Sequence, residues 1–96
     1  VYKRQMIMSK FSVTFTAQAF KDYQYWQQHN QNYFKKVNAL LKSIARDGCV
    51  DGIGKPEALK GNYEGYFSRR VSIEHRLIYK IKDDSIFVVS CRFHYQ

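Results

Sequence analysis

Ninety-six residues leave room for one small domain and exclude a multidomain protein. Hydrophobic residues make up 45% of the chain and aromatic residues 17%, which suffices for a packed core and excludes a disordered chain. Sixteen Lys and Arg against eight Asp and Glu give a net charge of +8, so we expect a polyanionic partner. Nucleic acid is the leading interpretation, followed by an anionic membrane surface and by an acidic protein.

The start of the chain and its cysteines indicate the cellular context. We expect residues 1–8 to be an N-terminal extension or a cloning remnant, with Met8 a candidate natural start, and residues 9–96 to form a single domain. This start is basic but has no apolar run long enough for a signal peptide or a membrane span. Cys49 and Cys91 belong to no CxxC motif and to no cluster with histidine. We therefore expect two free thiols in a reducing cytoplasm and no metal site.

The first half of the chain predicts one strand and two helices. Residues 11–15, FSVTF, alternate in polarity and are rich in β-formers, which indicates a strand. Thr16 has the features of a helix N-cap. Apolar residues recur at helical spacing over 17–29 and again over 31–47, and Gly48 is a natural C-cap for the second helix. The short polar break between the helices predicts an antiparallel pair.

The second half predicts a long loop and three strands. Residues 48–65 are rich in glycine and contain the single proline, so we expect a loop, and loops of this length are often functional. Strands are predicted at 66–72, 75–82 and 85–95, with tight turns between them. The predicted fold class is α+β: two antiparallel helices packed on one face of a mostly antiparallel four-stranded sheet.

Alternation along the strands predicts which side chains share a face of the sheet. The side chains expected under the helices are apolar: Phe67, Val71, Leu77, Tyr79, Ile81, Phe87, Val89, Cys91 and Phe93. Arg69 breaks this inward set and is predicted to mark a strand end or a bulge. The cationic side chains expected on the other face are Arg70, Arg76, Arg92 and His94.

This clustering of cations predicts a phosphate-binding face. The planar fork of arginine matches phosphate oxygens, and a histidine can act as acid or base near neutral pH. The alternative is a solvated sheet face whose arginines form salt bridges with Glu57, Glu64 and Glu74. Glu57 stands between two lysines in KPEALK, residues 55–60, where a carboxylate keeps its charge and is a usable base. An ordinary surface or capping glutamate is the other interpretation of Glu57.

Four segments together resemble the YoeB toxins, part of the RelE-like group of bacterial type II toxin–antitoxin systems. They match the family pattern in order and spacing, within a similarity that runs from residue 19 to 95: DYQYWQ (22–27), GKPEALKGNYEGYFSRRV (54–71), EHRLIYKI (74–81) and CRFHY (91–95). The resemblance implies the RelE-like microbial ribonuclease fold, a twisted antiparallel sheet with two helices on one side. The chain departs from the usual family residues at four positions: Ala58, Phe67, Phe93 and Gln96, which follows the terminal HY.

The resemblance also implies an activity, namely ribosome-dependent cleavage of mRNA in the ribosomal A site. The implied catalytic residues are Glu57 as general base, Arg76 on the scissile phosphate, His94 as general acid and Tyr95 as an orienting group. The implied phosphate contacts are Lys60 and Arg70, and we add Lys55 and Arg92 as candidate phosphate or RNA contacts. Because RNA carries its own 2′-OH nucleophile, this chemistry is expected to need neither a metal nor another cofactor.

Partners follow from the same resemblance. We expect an acidic antitoxin of the YefM or Phd type, the ribosome and mRNA, operator DNA only through the antitoxin complex, self-association and no membrane. Four basic side chains off the apolar stripe of the second helix are candidate ribosome contacts: Lys35, Lys36, Lys42 and Arg46. Two alternatives to a bacterial cytoplasmic nuclease stay open. One is a catalytically weak co-repressor acting with its antitoxin, and the other is a protein that binds RNA without cutting it.

Overall fold

A computed structural model gives the structure of residues 11–93. Outside this range lie the predicted extension at 1–8 and the candidate residues His94 and Tyr95. The elements in chain order are β1 (Ser12–Phe15), α1 (Ala17–His29), α2 (Gln31–Asp47), β2 (Glu57–Ala58), a 3₁₀ helix (Gly61–Tyr63), β3 (Phe67–Arg70), β4 (Arg76–Lys82) and β5 (Ser85–Ser90). Both helices match the predicted bounds. Within the described range, neither helix is long and apolar enough to cross a membrane.

The five strands form one sheet in the order β1-β5-β4-β3-β2. β1 runs parallel to β5, and the other pairs are antiparallel. The predicted class, two helices on a mostly antiparallel sheet, is therefore confirmed, but the predicted count of four strands is wrong. The additional strand β2 lies in the segment predicted as loop. It was not predicted because two residues are too few for a visible alternation of polarity.

The core lies between the helices and one face of the sheet. Its buried members are Ala19, Trp26, Val37, Leu40, Ile44, Val71, Leu77, Tyr79, Ile86, Val88 and Cys91. Burying each large aliphatic side chain contributes about 1.5–3 kcal/mol to folding. Both cysteines are free thiols, as predicted. Burial raises the pKa of the Cys91 thiol to about 12, so this sulfur stays protonated in the core.

A bulge in β5 overturns part of the predicted face assignment. The register pairs Ile78 with Ser90 but Tyr79 with Val88, which leaves Val89 as an extra residue. An extra residue reverses the alternation, so Val88 points into the core. The predicted inward positions of Phe87 and Val89 are wrong for this reason, whereas the inward position of Cys91 is confirmed. The strand also ends at Ser90 rather than at Tyr95.

Thr16 links the start of α1 to this bulge. Its Oγ1 accepts a hydrogen bond from the Ala19 N–H at 3.1 Å and donates one to the Val89 carbonyl at 3.1 Å. The backbone N–H of Thr16 donates to the Val88 carbonyl at 3.0 Å. One side chain therefore satisfies a helix N-terminus and a strand carbonyl at the same time.

Replacing Thr16 with alanine is expected to lower the free energy of unfolding by about 1–2 kcal/mol, since the cap is lost and no hydroxyl replaces it. Urea denaturation followed by circular dichroism measures this change. Thr16→Ser is the matched control, because serine keeps the hydroxyl, and it should unfold within about 0.5 kcal/mol of the wild type. An equal loss in both variants would contradict the capping role.

Candidate active site

A buried arginine holds the loop that leads into the site. Arg69 was predicted to mark a strand end or a bulge, but it lies inside β3 with 0% of its surface exposed. It points toward the helices, like its strand neighbour Phe67. Its N–H groups donate five hydrogen bonds: to Tyr79 Oη at 3.1 Å, Ser43 Oγ at 2.8 Å, and the carbonyls of Ile53 at 3.0 Å, Gly48 at 2.5 Å and Asp51 at 2.6 Å.

All five guanidinium donors are thus satisfied without a direct ion pair to a carboxylate among the described residues. Burial raises the pKa of the Tyr79 hydroxyl, which therefore stays protonated while it accepts from Arg69. Three of the acceptors are carbonyls of the segment 48–53, so the arginine supplies hydrogen bonds that a strand or helix would otherwise provide. The Arg69 side chain therefore supplies most of the hydrogen bonds that hold the first part of the loop, and Ser43 Oγ adds one by accepting from the Ile53 N–H at 3.2 Å.

Two glycines allow this close approach. A Cβ on Gly52 would lie 2.2 Å from Ser43 Oγ and 2.7 Å from an Arg69 nitrogen, and its φ is +110°. A Cβ on Gly54, with φ +85°, would lie 2.5 Å from a methyl carbon of Leu40. The Gly54 carbonyl accepts from the Arg70 N–H at 2.7 Å, which ties the loop directly to β3. Glycine is required at both positions by space and by backbone conformation.

The anchored loop delivers a carboxylate to a cationic cavity. Lys55, Pro56, Glu57 and Arg70 line a concavity of about 190 Å³. Glu57 lies in β2 and pairs with Ser68, two residues from Arg70 on the same face of the sheet. The side chains of Glu57 and Arg70 are both exposed to solvent, where a polyanion could reach them. Lys55 has a φ of +53°, an uncommon conformation at the turn into β2.

Arg76 stands beside Arg70 in the register of β3 and β4, on the face opposite the helices. It is 9% exposed, and its Nη1 donates to the carbonyls of Ser72 at 2.7 Å and Ile73 at 2.8 Å. Its backbone N–H donates to the Phe93 carbonyl at 3.1 Å. The predicted pairing of Arg70 with Arg76 on one face is therefore observed, and the described end of the chain lies next to Arg76.

The segment before His94 is held by side chains. Cys91 donates its N–H to Asp22 Oδ2 at 3.1 Å, and its carbonyl accepts from Trp26 Nε1 at 2.9 Å. The Phe93 N–H donates to His75 Nδ1 at 2.8 Å. Sequence reasoning did not identify this tether. The available signal was the spacing of Asp22 and Trp26 by four residues in DYQYW, which places both on one face of α1.

Arg92 and Lys60, two predicted RNA contacts, do not line the cavity beside Glu57. The Arg92 guanidinium carbon lies 3.5 Å from the centroid of the Tyr25 ring of α1 and 5.9 Å from that of Trp26. The prediction that Arg92 shares the face of Arg70 and Arg76 is wrong, because β5 ends before it and the chain turns toward α1. Lys60 is exposed and lies directly before the 3₁₀ helix between β2 and β3, without a side-chain hydrogen bond to that helix.

The basic residues of α2 do not form one uniform surface. Lys35, Lys42 and Arg46 are exposed, whereas Lys36 is half-buried. Arg46 forms an ion pair with Asp47 at 3.1 Å, and this hydrogen bond lowers the pKa of the Asp47 carboxyl. Exposed pairs of this kind contribute little to stability. These four residues stay candidate contacts.

Among residues 11–93, no glutamate forms an ion pair with Arg70: neither Glu57, Glu64 nor Glu74 lies within salt-bridge distance of it. This argues against the alternative of a salt-bridged sheet face at Arg70. No group of three His, Cys, Asp or Glu side chains with metal-binding geometry occurs in the same range. The site therefore combines one carboxylate with several cations around an open cavity.

Comparison with known proteins places the chain in a family. The profile described as "YoeB-like toxin of bacterial type II toxin-antitoxin system" matches residues 15–95. Toxin YoeB of Synechocystis sp. is 51% identical over 84 residues, which cover 88% of this chain and 96% of the relative. The chain belongs to the YoeB-like toxins of bacterial type II toxin–antitoxin systems, which confirms the resemblance seen in the sequence.

Solved structures agree with this assignment. A chain of the YoeB–YefM complex from Staphylococcus aureus is 54% identical, superposes with a TM-score of 0.83, and is matched over 88% of this chain and 98% of that one. The YoeB dimer from the same organism is 52% identical, with a TM-score of 0.85 and coverage of 90% and 99%. The expected family fold is thus confirmed over most of the chain.

Proposed function

We propose that this protein is a ribosome-dependent endoribonuclease that cleaves mRNA in the ribosomal A site and so stops translation. The observation that carries the proposal is the cavity in which Glu57 and Arg70 meet, next to Arg76. Membership of the toxin family supports it. A carboxylate within a cationic, open concavity suits a substrate that is itself a polyanion and contains an ionisable hydroxyl.

The proposed reaction is an internal transfer at one phosphodiester. Glu57 takes the proton of the 2′-OH, and the 2′-oxygen attacks the adjacent phosphorus. The bond from phosphorus to the 5′-oxygen breaks, and His94 gives its proton to that leaving oxygen. The products are a 2′,3′-cyclic phosphate and a 5′-OH end. Tyr95, which follows His94 in the chain, orients the catalytic groups.

The cations stabilise the charge that collects on the phosphate during this step. A role for Arg76 is supported by its backbone N–H, which donates to the carbonyl of Phe93, the residue directly before His94 in the chain. Arg70 and Lys55 line the same cavity as Glu57, and Lys60 follows two residues after β2. Arg92 is proposed to contact RNA outside the cavity, since its guanidinium stacks on Tyr25. Such fixed charges need no rearrangement as the reaction proceeds.

The proposed partners are the ribosome and an acidic antitoxin. The net charge of +8 suits both ribosomal RNA and an acidic protein. Related S. aureus structures are described as a YoeB–YefM complex and as a YoeB dimer, and we extend both kinds of assembly to this chain. Operator DNA is bound through the antitoxin complex, and the protein acts in the bacterial cytoplasm, where ribosomes translate.

Inducible expression of the wild-type chain and of His94→Ala tests the proposal. The wild type should stop growth and leave mRNA 5′ ends within A-site codons of translating ribosomes, whereas the variant should do neither. Both chains should still bind the antitoxin, which controls for folding. If both are equally harmless yet bind the antitoxin, the nuclease proposal is wrong and the protein acts as a co-repressor.

A further inference from the structure

A second concavity lies where the start of α1 approaches the end of β5. It has a volume of about 380 Å³, which exceeds that of the cavity beside Glu57. Its lining residues come from α1, the 3₁₀ helix, the residue before β3 and the end of β5: Gln18, Asn62, Tyr63, Tyr66, Val89 and Ser90. None of these residues is assigned a role in the reaction proposed above. A cavity of this size accommodates a small planar group.

The lining has the chemistry of a base-binding site. Tyr63 and Tyr66 meet edge to face, with ring centroids 6.3 Å apart. The Lys80 ammonium lies 4.9 Å from the centroid of the Tyr66 ring, which adds positive charge beside the aromatic surface. Asn62 contributes a side-chain amide, and Gln18, whose Nε2 donates to Asp22 Oδ1 at 2.9 Å, contributes its amide oxygen. Amides donate to and accept from the edges of bases. Aromatic rings, amides and one cation are the groups that single-stranded RNA recognition uses.

The position of the cavity connects it to Glu57. Tyr66 and Ser68 are two residues apart, so they share a face of the sheet. Ser68 pairs with Glu57 on one side and with Ile78 on the other, and Ile78 pairs with Ser90. Glu57 and Ser90 are therefore three strand spacings apart, about 14 Å. A short unstacked stretch of RNA can cross this distance along one face.

The bulge in β5 creates part of this cavity. Val89, the extra residue of the bulge, contributes to its wall together with Ser90. Thr16 holds the bulge in place through its hydrogen bond to the Val89 carbonyl. Bulges often occur beside functional sites because they redirect side chains.

We propose that this second cavity binds one unstacked nucleobase of the substrate RNA, on the same face of the sheet as the phosphate held between Glu57 and Arg70 but not in the nucleotide that carries it. The inference rests on the proposed function, since it names a subsite of the same substrate. In it, the Tyr66 ring contacts the base, and the Asn62 and Gln18 amides contact the base edge. The ribosome presents the mRNA, and this subsite keeps one base in place while the phosphate reacts.

A nuclear magnetic resonance titration of the purified chain tests the subsite without any cleavage. The probes are adenosine monophosphate, uridine monophosphate and ribose 5-phosphate, which has the sugar and phosphate but no base. The nucleotides should shift the side-chain amide signals of Asn62 and Gln18 at millimolar concentration, whereas ribose 5-phosphate should not. Equal shifts with ribose 5-phosphate, or no shift with any nucleotide, would overturn the proposal.

Tyr66→Leu should weaken nucleotide binding by about fivefold or more, since it removes the ring. The matched control is Phe20→Leu, which makes the same kind of change at an exposed aromatic residue of α1 away from the cavity. The spectra of both variants report whether they are folded. An unchanged affinity in folded Tyr66→Leu would also overturn the proposal. The titration requires no cleavage, so a wild-type chain that does not cut mRNA leaves its result unaffected, and the two proposals fail separately.

Discussion

Replacing Glu57 with glutamine is expected to lower the rate of mRNA cleavage on ribosomes by about 10²–10⁴-fold, the usual contribution of a general base. Glutamine has nearly the same shape but cannot take the proton of the 2′-OH. Its neighbours in the cavity, Lys55 and Arg70, stay in place, so binding to the ribosome should be retained. Single-turnover cleavage of mRNA on programmed ribosomes, at saturating toxin, measures the chemical step alone.

Glu64→Gln is the control for Glu57→Gln. It removes the same charge from an exposed glutamate that lies at the end of the 3₁₀ helix and outside the cavity. We expect its cleavage rate to stay within about twofold of the wild type, since surface substitutions away from a site change little. If both variants cleave as fast as the wild type, Glu57 is not the base. If both lose activity equally, net charge rather than the cavity determines the rate.

Replacing Arg69 with methionine is expected to lower the free energy of unfolding by about 3–5 kcal/mol, a large share of the stability of a small domain. The change removes the buried hydrogen bonds from Arg69 to Ser43 Oγ and Tyr79 Oη, and with them the half-buried bonds to the loop carbonyls of residues 48, 51 and 53. Each buried group left unsatisfied costs about 1–3 kcal/mol, and methionine recovers only part of the lost packing. Urea denaturation measures the loss.

Arg70→Met is the matched control, because it makes the same change at the next residue, where the side chain is exposed. It should change the unfolding free energy by no more than about 0.5 kcal/mol. Arg69→Lys should fall between the two, since three donors on a single nitrogen cannot reach five acceptors. Equal stability of Arg69→Met and Arg70→Met would show that the loop does not depend on the buried guanidinium.

Local patterns were sufficient for much of the fold. Both helices were predicted with the observed bounds, since each has a clear apolar repeat and a recognisable cap at Thr16 or Gly48. Face assignment succeeded in β4, where alternation is unbroken, and failed in β5, where one bulged residue reverses it. A bulge depends on the partner strand, so a single strand's sequence does not reveal it.

The candidate site shows the same division. Glu57, Arg70 and Arg76 were selected from the sequence and lie together in the structure. Arg92 was also selected, but it lies against α1 because the chain leaves the sheet after Ser90. The tether of Cys91 by Asp22 and Trp26 was not predicted, since it joins residues about 65 positions or more apart along the chain.

The sequence by itself determined the fold class, the helices, the basic charge and the family, because these depend on composition, short-range periodicity and local motifs. Only the tertiary structure decided what Arg69 does. Alternation placed Arg69 on the inward face and Arg70 on the other, but not that Arg69 lies buried within a regular strand and holds the loop while Arg70 lines the cavity. The physical reason is that a buried guanidinium needs acceptors, and those of Arg69 come from α2, from β4 and from the loop at 48–53, which only folding brings together.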